Sequence, residues 1–112
     1  MCTFISLSYA QNTQTYTGVV GRSSQIQVTL FWGSNDTVTG SYFYTNNPQV
    51  LYTLQGTNYA TGKLDINEID GTGTKTANIK LSKTTTSDGS IVWSGKMYNT
   101  DGREFPITIS RK

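Results

Sequence analysis

A chain of 112 residues, 35% hydrophobic and 14% charged, suits one domain with a modest core and argues against a disordered or membrane-spanning protein. Nine Lys and Arg stand against seven Asp and Glu, a net charge of +2 spread singly, so the basic stripe that tracks phosphates is missing and nucleic acid is not an expected partner. Histidine is absent and Cys2 is the only cysteine, which removes His-based acid–base catalysis, Ser–His nucleophiles, internal disulfides and any His/Cys zinc site.

Residues 1–10 are mildly apolar and uncharged, and end in Ser8-Tyr9-Ala10. Small residues three and one before a cut fit a signal-peptidase site, so this segment reads as the remnant of a secretory signal and the protein as exported, periplasmic or extracellular. The alternative for the segment is an extra edge strand. Residues 11–112 are expected to form a single domain.

From Thr15 on, apolar and polar residues alternate in eight short runs, at residues 15–20, 25–32, 37–44, 50–57, 63–70, 75–82, 91–99 and 103–110. No helical period survives. Turn signals separate the runs: Gly21-Arg22-Ser23-Ser24, Gly33-Ser34-Asn35-Asp36, Asn46-Asn47-Pro48, Tyr59-Ala60-Thr61-Gly62, Gly71-Thr72-Gly73-Thr74, Ser87-Asp88-Gly89 and Thr100-Asp101-Gly102. Gly, Asn and Asp tolerate the positive φ of tight hairpins, so each strand should turn back on the one before.

Period-2 side chains put one apolar set inward: Tyr16, Val20, Ile26, Val28, Leu30, Trp32, Val38, Tyr42, Tyr44, Val50, Tyr52, Leu54, Leu64, Ile66, Ala77, Ile79, Leu81, Ile91, Trp93, Met97, Phe105, Ile107 and Ile109. Gly18, Gly40, Gly56 and Gly95 share this inner phase, which suits a sheet bent hard around its own core. The outer phase is Thr, Ser, Asn, Gln and Lys. One wet and one apolar face predict an all-β fold: an antiparallel eight-stranded up-and-down meander, a closed or nearly closed barrel. A two-sheet β-sandwich is the alternative.

The runs Tyr16-Thr17-Gly18-Val19-Val20-Gly21, Val38-Thr39-Gly40-Ser41-Tyr42-Phe43-Tyr44, Leu54-Gln55-Gly56 and Trp93-Ser94-Gly95-Lys96 resemble those of small exported bacterial β-meander proteins. Val38-Thr39-Gly40-Ser41-Tyr42 and Trp93-Ser94-Gly95-Lys96-Met97-Tyr98 are also similar to strands of avidin- and lipocalin-type barrels. The resemblance implies an exported β-meander barrel, in a group mostly of unassigned function. It does not bring biotin binding with it, because the inner set here is mainly aliphatic.

The shortest turns that keep the apolar faces together place Val28, Tyr42, Tyr52, Glu68, Ala77, Gly95 and Ile107 in one inner row, with Tyr44 and Asp70 a step nearer the strand ends. Tyr42, Tyr44, Tyr52, Glu68 and Asp70 are therefore candidates for a ligand-binding mouth, the rings for stacking a sugar or apolar ligand and the carboxylates for orienting it. The same register aligns Phe43, Leu51 and Ile69 as an apolar trio on the outer face, a candidate surface for another protein or a second copy. It also sets Lys80 opposite Val92 and Tyr98 opposite Glu104 as ordinary exposed pairs.

The acidic run Asp65-Ile66-Asn67-Glu68-Ile69-Asp70-Gly71 fails as a calcium loop, because Ile69 takes a ligand position and no acid closes the loop. No metal and no cofactor are expected, and no residue is assigned a catalytic role, Glu68 and Asp70 being the pair that an enzyme would use. Three functions follow in order: a small exported binding or inhibitory protein acting through loops or the outer patch, a small-ligand carrier using the Tyr/Glu mouth, and a carboxylate enzyme using Glu68 and Asp70 there.

Overall fold

The alternation that lays one face of each run inward produces eight strands: β1 (Thr13–Val20), β2 (Ser24–Trp32), β3 (Thr37–Tyr44), β4 (Tyr52–Tyr59), β5 (Lys63–Ile69), β6 (Lys75–Thr85), β7 (Ile91–Asn99) and β8 (Glu104–Arg111). The computed structural model describes residues 13–59 and 61–111. Residues 1–10, expected as a signal remnant, and Ala60 of one turn lie outside these. Each strand pairs antiparallel with the next, and β1 pairs with β8, so the meander closes into a barrel and the sandwich is set aside. None of the described residues forms a helix long and apolar enough to cross a membrane.

Closure is uneven. β6 and β7 run together from Ala77↔Asn99 to Thr85↔Ile91, whereas the seam between β1 and β8 has only four pairs, Thr17↔Ser110 to Val20↔Ile107. One further bond, from Gly21 N–H to the Pro106 carbonyl at 2.8 Å, ends the seam at its lower rim.

The inner set forms one core cluster. Tyr16, Leu30, Leu64, Ile66 and Ile109 are fully buried, and Trp32, Tyr44, Tyr52, Ile91 and Phe105 pack against them half-buried at the rims. Side chains fill the middle: the void among Val28, Leu30, Leu54, Ile66, Ile79 and Ile107 is about 10 Å3, barely the room for one water. Val50 departs from expectation. It lies before β4 and is 41% exposed, because Asn47 N–H bonds to the Tyr44 carbonyl and Val50 N–H to the Asn47 carbonyl, folding residues 45–51 into a loop.

The inward glycines are required by close approach. Gly95 sits between Leu81 of β6 and Ile107 of β7's other neighbour, and a Cβ there would penetrate the Lys80 carbonyl oxygen and stand 3.1 Å from Leu81 Cα. Gly56, opposite Ile66, meets the Asp65 carbonyl in the same way, and Gly18 and Gly40 follow suit. At these points neighbouring strands bend so sharply that the backbone of one takes the place of a side chain on the other.

Two hairpins shift the register by an even number, which keeps every face and changes the partners. β4 continues to Tyr59, opposite Lys63, so Leu54 and not Tyr52 opposes Glu68, and Thr53 and not Leu51 opposes Ile69. β6 continues to Thr85, and a five-residue loop centred on Asp88 closes with Thr86 N–H on the Ser90 carbonyl at 2.9 Å and Gly89 at φ 86°. Lys80 therefore opposes Lys96 rather than Val92, and Ala77 opposes Asn99 rather than Gly95. Tyr98 opposes Glu104 as expected.

Candidate functional site

An up-and-down barrel has two mouths, and inward residues at the strand ends line them. The β1–β2, β3–β4, β5–β6 and β7–β8 loops surround one, called here the tyrosine mouth. The other three loops and the described chain ends surround the second, the tryptophan mouth.

At the tyrosine mouth, β3 and β4 bring Tyr42 opposite Tyr52, and their rings stack at 5.2 Å between centroids and 21° between planes. Tyr44 stands edge-on to both, at 5.7 and 6.2 Å. Glu68 of β5 reaches across from two strands away. It is only 6% exposed, and Tyr42, 2% exposed, donates its hydroxyl proton to Glu68 Oε2. The other oxygen, Oε1, accepts from Thr76 Oγ1 at 2.6 Å. Thr76 falls at a register shift between β5 and β6, where Glu68 pairs with Ala77 but Ile69 with Lys75. The bulged residue turns its hydroxyl to the carboxylate, a re-aiming that strict alternation cannot foretell.

Burial, reinforced by the negative charge of Glu68, pushes the Tyr42 phenol far above its ordinary range, and burial raises Tyr44 as well. Asp70 does not join this group. It ties the β5–β6 turn at the surface, accepting from Thr72 Oγ1 at 2.6 Å, Thr72 N–H at 2.9 Å and Thr74 N–H at 3.1 Å. These bonds, Thr72's hydroxyl first, hold its carboxyl below the usual range. Four of the five residues expected to form a ligand mouth thus come together, but as a packed, internally bonded plug. The nearest concavity, about 580 Å3, lies to one side against Tyr44, Val20, Met97 and Phe105.

On the outer face, Phe43 and Ile69 are half-buried in separate ladder positions, opposite Gln27 and Thr53. Leu51 stands apart from them in the β3–β4 loop, 55% exposed beside Val50. The expected contiguous trio is therefore an exposed Val50–Leu51 pair, because Leu51 precedes the strand that was to carry it.

The tryptophan mouth holds what the sequence reading left unassigned. Gln14, Trp32, Asn58, Lys83 and Trp93 all fall in the inward phase of their strands, one step beyond the aliphatic layers, and with Tyr16 they line an open pocket of about 340 Å3. Lys83 is directly opposite Trp93. The Trp32 and Trp93 rings meet at 6.2 Å between centroids and 32° between planes, forming a continuous aromatic wall. Gln14 Oε1 accepts from both the Tyr16 hydroxyl, at 2.9 Å, and Trp32 Nε1, at 3.0 Å.

Trp93 Nε1 is different. Its ring is 3% exposed, and the N–H is the one buried side-chain polar atom among the described residues without a hydrogen-bond partner. It lies near enough to the Tyr16 hydroxyl to offset part of the upward push that burial gives this phenol, with Arg111 adding to the offset, yet it falls short of hydrogen-bond geometry. The Arg111 guanidinium itself sits 6.0 Å from the centre of the Tyr16 ring. Lys83 and Arg111 were legible as inward only by extending the phase of Ala77, Ile79 and Leu81, or of Ile107 and Ile109, past the apolar run.

Among the described residues no three potential metal ligands of the His, Cys, Asp or Glu type gather at one place. No protein-family model matches the chain, and no curated protein is similar to it at a meaningful level.

Proposed function

We propose that this is an exported, non-catalytic binding protein that captures another protein or a second copy of itself through the β3–β4 loop. The observation that carries the reading is the Val50–Leu51 pair. These are the only aliphatic side chains among the large exposed hydrophobics of the described residues, they are adjacent, and they stand on a loop of residues 45–51, longer than the other turns. Exposed apolar side chains held at a loop tip on a rigid barrel are the usual form of a docking anchor.

The filled interior supports the same reading, since it leaves no calyx for cargo. So does the state of Glu68, which is buried and has each oxygen held by an internal donor, Tyr42 on one and Thr76 on the other, so that it presents little surface to a substrate. Export rests on Ser8-Tyr9-Ala10, and cleavage there would leave Gln11 as the first residue.

The Leu51→Lys substitution tests the docking reading. A charge at Leu51 would have to be desolvated in any contact, but costs the free barrel little because the side chain is exposed. Sedimentation should show wild-type self-association weakened in the variant, with the thermal melt unchanged. A wild type that stays monomeric at high concentration, or a variant that sediments like the wild type, would remove self-capture; a large fall in melting temperature would remove the loop as an exposed anchor altogether.

A further inference from the structure

The tryptophan mouth carries a second site, independent of the β3–β4 loop. Its hydrogen-bond inventory is unbalanced. The Tyr16 hydroxyl and the Trp32 N–H already share the single carbonyl oxygen of Gln14, and the Trp93 N–H is left over. No Asp or Glu lines the pocket. The Trp93 N–H is itself buried, so it is the exposed Lys83 ammonium, with no acid in the lining, that leaves the open pocket short of an acceptor.

The charge is unbalanced in the same sense. The three ion pairs of the described residues are Lys80–Asp65, Lys96–Glu104 and Arg103–Asp101, and neither Lys83 nor Arg111 takes part in one. Both belong to the inward phase of their strands, Lys83 opposite Trp93 and Arg111 over the face of Tyr16. Lys83 is exposed at the rim and Arg111 is half-buried; two cations outside any ion pair beside the tryptophans, with no acid within the lining, set up a local field that favours an anion.

The walls specify the rest of the ligand. Trp32 and Trp93 already touch, so a ring cannot slide between them and must lie across their joint surface. The pocket volume of about 340 Å3 falls at the small end of the range of roughly 300–1,000 Å3 typical of small-molecule sites. A carbohydrate would bring many hydroxyl donors, and the lining offers them few acceptors, the Asn58 side chain and the Tyr16 and Tyr59 phenol oxygens, and no carboxylate.

We propose that the tryptophan mouth binds a small organic carboxylate with a flat ring, the ring against Trp32 and Trp93 and the carboxylate toward Lys83 and Arg111. The protein contains two tryptophans, and both are in this mouth, so their indole N–H resonances form a built-in reporter. Isotope-labelled full-length chain would be titrated with phenylacetate, and in parallel with phenylacetamide, which keeps the ring and shape but lacks the charge.

The expected result is a saturable shift of the Trp93 indole resonance with phenylacetate, weaker by about tenfold or more with the amide and with the Lys83→Gln, Arg111→Gln double variant, as loss of charge-assisted contacts requires. Thermal melts and the remaining amide spectrum of the variant, both unchanged, keep a folding defect from imitating lost binding; if the double variant is disturbed, each single variant is read in its place. The proposal is overturned if phenylacetate moves neither indole resonance, if acid and amide bind equally, or if the variants bind phenylacetate as the wild type does.

Discussion

At the tyrosine mouth, the buried Glu68 carboxylate and the two hydroxyls that reach it, from Tyr42 and Thr76, satisfy one another inside the chain; at the tryptophan mouth, one indole N–H and one hydroxyl converge on a single carbonyl oxygen and the Trp93 donor goes unmet. Both ends follow the same rule of alternation, and both place aromatic rings over the ends of an aliphatic core. What separates them is the count of acceptors against donors. A carboxylate among hydroxyls closes a mouth, since each oxygen takes a proton donor and the rings pack down over it. Amides, indoles and cations around a single carbonyl leave a mouth open, in shape and in chemistry.

Four substitutions bear on that contrast, beginning with the waist that both mouths share. Gly95→Val should cost about 3 kcal/mol, the upper end for overpacking, because the first added carbon already meets the Lys80 carbonyl. Ser94→Val, next to it on the exposed face, should stay within about 0.5 kcal/mol. Denaturant unfolding of the two variants decides the matter, and equal losses would mean that the close approach at Gly95 is not what holds the two mouths in register.

Next is the plug itself. Glu68→Ala leaves the buried Tyr42 hydroxyl without its acceptor and opens a small void, and should destabilise by about 2 kcal/mol. Near-ultraviolet circular dichroism should lose the tyrosine signal while the tryptophan signal stays. A variant as stable as wild type would show that the tyrosine mouth is closed by ring packing alone.

The smallest effect is expected for Tyr42→Phe, about 1 kcal/mol at neutral pH for the lost hydrogen bond. Its pH dependence is more telling. The Tyr42 phenol has an ordinary value of 10.0 and is raised in the folded protein by burial and then by Glu68. The native state thus keeps a proton that the unfolded chain releases, so the stabilisation is whole below about pH 10 and is lost as pH rises from there toward the native value. The Phe variant lacks this linkage, and its stability should fall less steeply above about pH 10; parallel curves would place the raised proton affinity elsewhere, at Tyr16 or Tyr44.

The strands, their faces and the closed meander were readable because Gly, Asn and Asp punctuate seven hairpins and alternation persists between them. Partner identities were less readable, for a physical reason visible at two turns. Asp88-Gly89 centres its loop later than the shortest closure, and β4 runs on through Asn58 and Tyr59, polar and aromatic residues that look like turn material. Both errors are even in register, so burial came out right while cross-strand neighbours did not. Val50 and Leu51 misled in the opposite sense: they continue the β4 alternation, but backbone bonds to the Tyr44 and Asn47 carbonyls draw them into a loop.

The candidate sites divide along the same line. Tyr42, Tyr44, Tyr52 and Glu68 could be grouped from phase alone, whereas the bulge that recruits Thr76 depends on local geometry with no residue signature. Lys83 and Arg111 continue the inward phase past the apolar run, but a long cation at a strand end reaches water whichever face it starts from, so its residue type gives no sign that it lines a mouth.

The four-pair seam between β1 and β8 also has a mechanical meaning. Thr13 and Arg111 lie at the same end of two antiparallel neighbours, so a pull between them loads the seam bonds one after another, as in a zipper, rather than all together in shear. The first bonds to part would be those at Thr17 and Ser110, directly beneath the tryptophan mouth, so a barrel handled by its ends should yield at low force and from that side. The same geometry makes the seam-facing amides among Thr17 to Val20 a natural place for early hydrogen exchange, before those of the long β6–β7 ladder.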